Sequence, residues 1–133
     1  MESDWLAIAT GGALGAVLRA GLIRQVAAGS DGPSMAGLRL GPALATLLAN
    51  ALGCLLIGLW LGGIVRWPFG ASSVRVELFV VAGVCGGLTT FSTLCADAVA
   101  LGRERGRSTS MVYLLVTLIA GAAAFNLWLG RLG

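Results

Sequence analysis

The sequence predicts an all-α integral membrane protein of four transmembrane helices, the third broken near its middle. Three observations carry this. Hydrophobic residues make up 57% of the 133 residues and charged ones only 11%, against about 25% charged in a soluble domain. Four apolar stretches, each close to or beyond the roughly 20 residues that cross about 30 Å of hydrocarbon, are joined by short polar segments. The third stretch contains Gly83-Val84-Cys85-Gly86-Gly87-Leu88-Thr89-Thr90-Phe91-Ser92-Thr93. Adjacent glycines and four hydroxyls are poor material for the interior of a helix, where a glycine costs about 1 kcal/mol relative to alanine. Irregular backbone at membrane depth is tolerated only where protein buries it, a polar cavity adjoins it or an ion is held there. The length suits one membrane domain, residues 1–133.

The first span is expected from about Trp5 to Ala27. The acidic start Met1-Glu2-Ser3-Asp4 is unlike the basic start of a cleavable signal peptide, so this stretch is expected to stay in the mature protein. Gly11-Gly12-Ala13-Leu14-Gly15-Ala16 forms a small-residue face, and the Gly11/Gly15 pair reads as close helix packing. Arg19 follows on the same helix, in a structural role, snorkelling to the interface or capping a neighbouring helix end.

The second span is expected from about Pro42 to Val65, after a loop (28–41) rich in turn formers. Proline is tolerated at a helix start, because its missing donor would be unpaired there anyway. Thr46 and Asn50, four residues apart, face one way. An amide in hydrocarbon needs partners. Asn50 therefore reads either as interhelical glue or as a donor to an anion in a pore.

The third span, about Val76 to Leu101, follows a turn centred on Trp67-Pro68-Phe69-Gly70 and carries Asp97, the one acid deep in a span. Such a residue is a functional candidate by default, with an ion-pair or capping role as the alternative. A loop, Gly102 to Arg107, leads to the fourth span, about Met111 to Leu129. There Tyr113, Thr117 and Gly121 recur every four residues. That face is either a small-residue packing seam or a polar track of hydroxyl donors for a small ion. Trp5, Trp60, Trp67 and Trp128 lie near span ends, as an interfacial aromatic belt places them.

Composition excludes several functions. Without histidine, the usual general base and the commonest metal ligand are missing. No nucleotide-binding motif is present, and the chain reads as a non-enzyme. Cys54, Cys85 and Cys95 sit in apolar runs with no CxxC pairing and read as inert thiols. The net charge of +3 comes entirely from arginines over acids, near span ends. It reads as charge at a lipid surface rather than a nucleic-acid footprint. Arg66, Arg75 and Arg131 share the N-terminal side; Arg24, Arg39, Arg103, Arg105 and Arg107 share the other, with Arg19 one turn deeper toward it. The positive-inside rule then weakly favours both termini outside. The bias is modest, so insertion in both orientations stays open.

Gly86-Gly87-Leu88-Thr89-Thr90-Phe91-Ser92-Thr93 resembles the signature of the Fluc/CrcB fluoride channels. Gly11 to Ala16 with Arg19 is similar to that family's first-span motif, and Thr46 to Gly53 with Asn50 to its second. The resemblance runs through the whole chain, with the motifs in the right order. It implies a passive fluoride-selective channel of the bacterial cytoplasmic (inner) membrane that exports the ion and confers fluoride resistance. It implies an antiparallel, dual-topology homodimer with two pores. It also implies a structural Na⁺ at the dimer interface, held by backbone carbonyls that here belong to Gly86 and Thr89. The fluoride pathway it implies maps to Thr46, Asn50, Phe91, Ser92, Thr93, Leu94, Tyr113 and Thr117. Phenylalanine ring edges, electropositive through the quadrupole, would face the anion.

Two positions depart from the family pattern. A second phenylalanine usually follows the first by three residues, and here that position is Leu94. It is expected on the same helical face as Phe91, still lining the pore. The polar track usually continues with a serine where this chain has Gly121. Both are read as changes in rate or geometry; a heterodimer whose partner supplies the full set is the alternative. Two other classes compete. A small multidrug exporter would need a membrane-embedded carboxylate in its first span, and residues 6–26 contain none. A non-transporting accessory subunit would explain the glycines but not the break.

Overall fold

The computed structural model describes residues 2–29, 41–62 and 74–129. Residues 30–40 of the loop expected over 28–41, and the turn expected at Trp67-Pro68-Phe69-Gly70, lie outside them. The described residues form helices α1 (Glu2–Gly29), α2 (Gly41–Leu61), α3 (Val74–Glu77), a π-helix (Leu78–Cys85), α4 (Gly86–Leu88), α5 (Phe91–Arg105) and α6 (Arg107–Leu129). By length and composition four segments suit a membrane crossing: Asp4–Val26, Gly41–Leu61, Val74–Arg105 and Arg107–Leu127. This is the architecture of an integral membrane protein.

Two expectations are corrected. The segment Gly102–Arg107 is not a six-residue loop. Helix α5 runs on to Arg105 and α6 starts at Arg107, so Gly106 alone makes the link, at φ 97. Arginine and glutamate are good helix formers, so charge does not end the helix. The chain turns at the one residue without a Cβ, where positive φ carries little steric cost. The second correction concerns Gly86 and Gly87, which remain helical; only Thr89 and Thr90 leave helical geometry.

Packing accounts for the glycine at position 87. Helix α1 lies directly on the π-helix and α4, backbone to backbone. A Cβ at Gly11 would run into the Phe79 carbonyl oxygen and come within 3.0 Å of Gly83 Cα. One at Gly15 would reach the Leu88 nitrogen at 2.8 Å. One at Gly87 would strike the Gly12 carbonyl. Helices in lipid gain nothing by hiding apolar surface from one another, and small residues that allow close van der Waals contact take over that role. The seam between α2 and α6 follows the same logic, with Gly58 against the Phe125 carbonyl and Gly121 beside Cys54.

The buried core is correspondingly small-residue: Ala43, Ala45 and Ala49 of α2, then Cys85, Leu88, Leu94, Ala98 and Leu101. Large apolar side chains such as Trp5, Val17, Met111, Leu118 and Ile119 point outward, toward acyl chains. Asp4 and Arg75 pair at 3.5 Å, so the starts of α1 and α3 share one side, as expected for Arg75. The Arg75 side chain is largely exposed and that of Asp4 partly so, and such a pair contributes little stability.

Candidate functional site

The third span is interrupted at its centre. Fifteen residues precede the interruption (74–88) and fifteen follow it in α5. Thr89 (φ −81, ψ 151) and Thr90 (φ −152, ψ 116) are extended, a geometry β-branched side chains favour. Buried backbone groups must be paired, so their partners can be traced one by one. Thr89 N–H still closes the helix onto the Cys85 carbonyl at 2.9 Å, and the Thr89 hydroxyl donates to the same oxygen at 2.9 Å. A continuous helix would next pair the N–H groups of residues 90–93 with the carbonyls of residues 86–89. None of these bonds forms. Thr90 N–H donates to Asn50 Oδ1 at 2.9 Å. Thr93 N–H donates to Thr90 Oγ1 at 3.3 Å, which makes Thr90 the N-cap of α5. The ladder of α5 starts with Leu94 N–H on the Thr90 carbonyl at 3.4 Å.

The contact with Thr90 also orients Asn50. A backbone N–H can only donate, so the amide oxygen must face it. The NH₂ group of Asn50 then projects away from the break with its two N–H bonds. Asn50 is half-buried, and Thr46, one turn earlier on α2, is buried. The Thr46 hydroxyl lies beside the Tyr113 phenol of α6, as does that of Thr117. Helix α2 therefore links two polar groups, the break and the α6 track, about 6 Å apart along its axis.

Along α6 the hydroxyl protons are already engaged. Tyr113 OH donates to Asp97 Oδ2 of α5 at 3.4 Å, a long contact, and the Thr117 hydroxyl donates to the Tyr113 carbonyl at 2.8 Å. Thr117 and Gly121 are buried, and a Cβ at Gly121 would meet Cys54 Sγ at 3.3 Å. The packing-seam and polar-track readings thus describe the same face.

Phe91 is 79% exposed on the outer face of α5, and Ser92 is exposed beside it. Leu94, by contrast, is 6% exposed. The expectation that it shares the face of Phe91 is corrected. Three residues turn an α-helix through about 300° rather than a full circle, and that shortfall carries Leu94 into the core. Thr93 is half-buried, with its hydroxyl 3.1 Å from Thr90 Oγ1. Gly86 is exposed and Thr89 half-buried. Arg19 is half-buried on α1 and makes no ion pair among the described residues. Thr90 caps α5, a role its sequence motif had not been assigned. Its signal was the Thr-x-x-Thr spacing that opens a capped helix. Among the described residues no cluster of three or more His, Cys, Asp or Glu side chains could hold a metal. A cation at the break would rest on backbone oxygens.

A bundle of four membrane-length helices, with extended backbone at the centre of one and amide and hydroxyl groups lining its neighbours, defines a small polytopic membrane protein with an intramembrane polar site. Sequence comparison specifies the class. The family model described as CrcB-like protein, Camphor Resistance (CrcB), matches residues 6–131. The chain is 37% identical over 127 residues to a protein of Rhodococcus jostii named fluoride-specific ion channel FluC 2, covering 94% of this chain and 93% of that one. It is 37% identical over 128 residues to the fluoride-specific ion channel FluC of Agrobacterium fabrum, with 93% of each covered. It is 40% identical over 132 residues to the protein of that name from Thermus thermophilus, covering 97% and 94%. The chain belongs to the CrcB family.

Proposed function

We propose that the chain is a passive, fluoride-selective channel, and that two copies inserted antiparallel form the conducting unit. The relatives named as fluoride-specific ion channels support the first part over almost the full length. Fluoride holds its water tightly, so a pathway must replace hydration with donors. Asn50 offers two N–H bonds directed away from the break. Ser92, Thr93, Thr46, Tyr113 and Thr117 offer hydroxyls, and Phe91 offers a ring edge. As the anion passes, Tyr113 and Thr117 would turn toward it the hydroxyl hydrogens they now donate to Asp97 and the Tyr113 carbonyl.

The observation that carries the dimer is the break itself. Irregular backbone does not face lipid at membrane depth, yet on a single chain extended Thr89 and Thr90 are only half-buried and Gly86, Phe91 and Ser92 beside them are exposed. A second copy covering that face would bury them and bring Phe91 into a pathway shared between copies. The residues also fit a structural Na⁺ there. The donors that would close on the Gly86 and Thr89 carbonyls go elsewhere, leaving oxygen ligands of the kind a hard cation takes. Bound, the ion would supply fixed positive charge at the centre of the dimer.

In a bacterial cytoplasmic membrane this activity exports fluoride. Hydrogen fluoride enters neutral, dissociates in the less acidic cytoplasm, and the anion leaves down its electrochemical gradient. Purified protein in liposomes should release fluoride without a proton gradient and retain chloride. Chloride release at a comparable rate, or dependence on a proton gradient, would refute the reading. Exhaustive exchange of Na⁺ for a larger organic cation should destabilise the dimer, and an unaltered dimer would count against the cation.

A further inference from the structure

We propose that Asn50 and Thr90 are positioning residues that hold the third span open. Each supplies a side-chain oxygen that draws one backbone N–H out of the helix ladder. Together they keep the Gly86 and Thr89 carbonyls free of their helical donors. The part concerning a cation rests on the Na⁺ reading above; the part concerning the backbone does not.

The hydrogen bonds carry the argument. Four N–H groups lack their helical carbonyl across the break, those of residues 90–93, and two of them have found a side-chain acceptor: Thr90 N–H on Asn50 Oδ1 at 2.9 Å and Thr93 N–H on Thr90 Oγ1 at 3.3 Å. The carbonyls that these two redirected donors would have met are those of Gly86 and Thr89. Without these two acceptors the extended Thr89-Thr90 pair would leave two further donors unpaired in apolar surroundings, each at a heavy cost in hydrocarbon. Local sequence alone does not impose the break. One of its two acceptors comes from α2, forty residues away in the chain. The interruption exists because α2 is docked against it, and Gly53 of α2, whose Cβ would strike Thr89 Cγ2, lets that docking happen.

A second consequence follows for Asn50. Its oxygen is committed to the break and its NH₂ group is thereby turned the other way. One amide thus ties the carbonyl cradle to the anion donors. Two functions of this residue are separable by substitution. Aspartate at 50 keeps an oxygen acceptor for Thr90 N–H but replaces the NH₂ donors with negative charge. Alanine removes both.

Isotope-labelled protein in lipid nanodiscs provides the test, with nuclear magnetic resonance of the Thr90 amide and the Thr89 and Thr90 Cα shifts as the readout. In wild type and Asn50→Asp the Cα shifts should be those of extended backbone and the Thr90 amide protected. In Asn50→Ala either the shifts move toward helical values, as Thr90 N–H returns to the Gly86 carbonyl, or the amide exchanges at least about fivefold faster, the worth of one net hydrogen bond. Fluoride flux should fall in both variants, while stabilisation by added Na⁺ should survive in Asn50→Asp and vanish in Asn50→Ala. Wild-type Thr90 shifts, protection and Na⁺ response in Asn50→Ala would overturn the proposal and leave Asn50 an anion donor alone. A wild type with no Na⁺ response would refute the cation reading by itself, and the Thr90 signals would still decide the positioning role. If Asn50→Ala does not fold, Thr90→Val against Thr90→Ser decides through the Thr93 amide. Protection should be lost with valine and kept with serine, and equal protection in the two would overturn the proposal.

Discussion

Gly86 and Gly87 are neighbours in one motif, and the structure assigns them opposite responses to alanine. A Cβ at Gly87 would collide with the carbonyl oxygen of Gly12 and lie 3.0 Å from that residue's carbonyl carbon and Cα. Ordinary contact begins near 3.4 Å, so α1 and α4 must part by about 0.4 Å or more. Both surfaces are backbone, so no side chain can swing aside. Overpacking of this kind costs about 1–3 kcal/mol, and the better helix propensity of alanine returns about 1 kcal/mol. Gly87→Ala should therefore lose up to about 2 kcal/mol, or roughly thirtyfold in the folding equilibrium. A Cβ at Gly86 meets nothing within 4 Å. In a single chain Gly86→Ala should gain up to about 1 kcal/mol from propensity alone. If a second copy covers the break, that same Cβ stands in the interface and the dimer should weaken. Thermal unfolding in detergent reads the first effect, and dimer fraction on dilution reads the second. Gly87→Ala more stable than wild type would refute the backbone-contact argument. Gly86→Ala dimerising as tightly as wild type would remove the break from the interface.

Leu94→Phe places a larger side chain at a site 6% exposed, so it should cost about 1–3 kcal/mol in thermal stability while changing fluoride flux in liposomes by less than about tenfold. A silent wild type switched on by that change would instead favour a heteromeric partner. Tyr113→Phe deletes a hydrogen bond to Asp97 that is already long at 3.4 Å, so stability should fall by less than about 1 kcal/mol. Flux should nevertheless drop if the phenol serves the anion, and unchanged flux would take Tyr113 off the pathway. Gly121→Ser crowds Cys54 Sγ, 3.3 Å from the added Cβ. A modest loss of thermal stability is expected, restored when Cys54→Ala is added; no restoration would mean that the crowding lies elsewhere.

The sequence by itself determined the membrane class, the four spans and the polar positions within them, because length and hydropathy of a segment are local properties. It also marked the centre of the third span as unusual, and the comparison with relatives then assigned the family. Helix termini were less legible. The Gly102–Arg107 segment looked like a loop from its charge, but Arg103, Glu104 and Arg105 are helical and Gly106 alone turns the chain. Only the tertiary structure decided what the glycines do. Gly86 and Gly87 read as helix breakers, yet both are helical, and position 87 takes glycine because Gly12 of another span lies against it. It also decided which side of a helix each candidate occupies, separating exposed Phe91 from buried Leu94. Above all it decided the partner of Asn50. The amide pairs with a backbone donor forty residues away, and such a bond depends on how α2 packs against the break. No periodicity along one segment records that packing, since it arises only when separate helices are brought together.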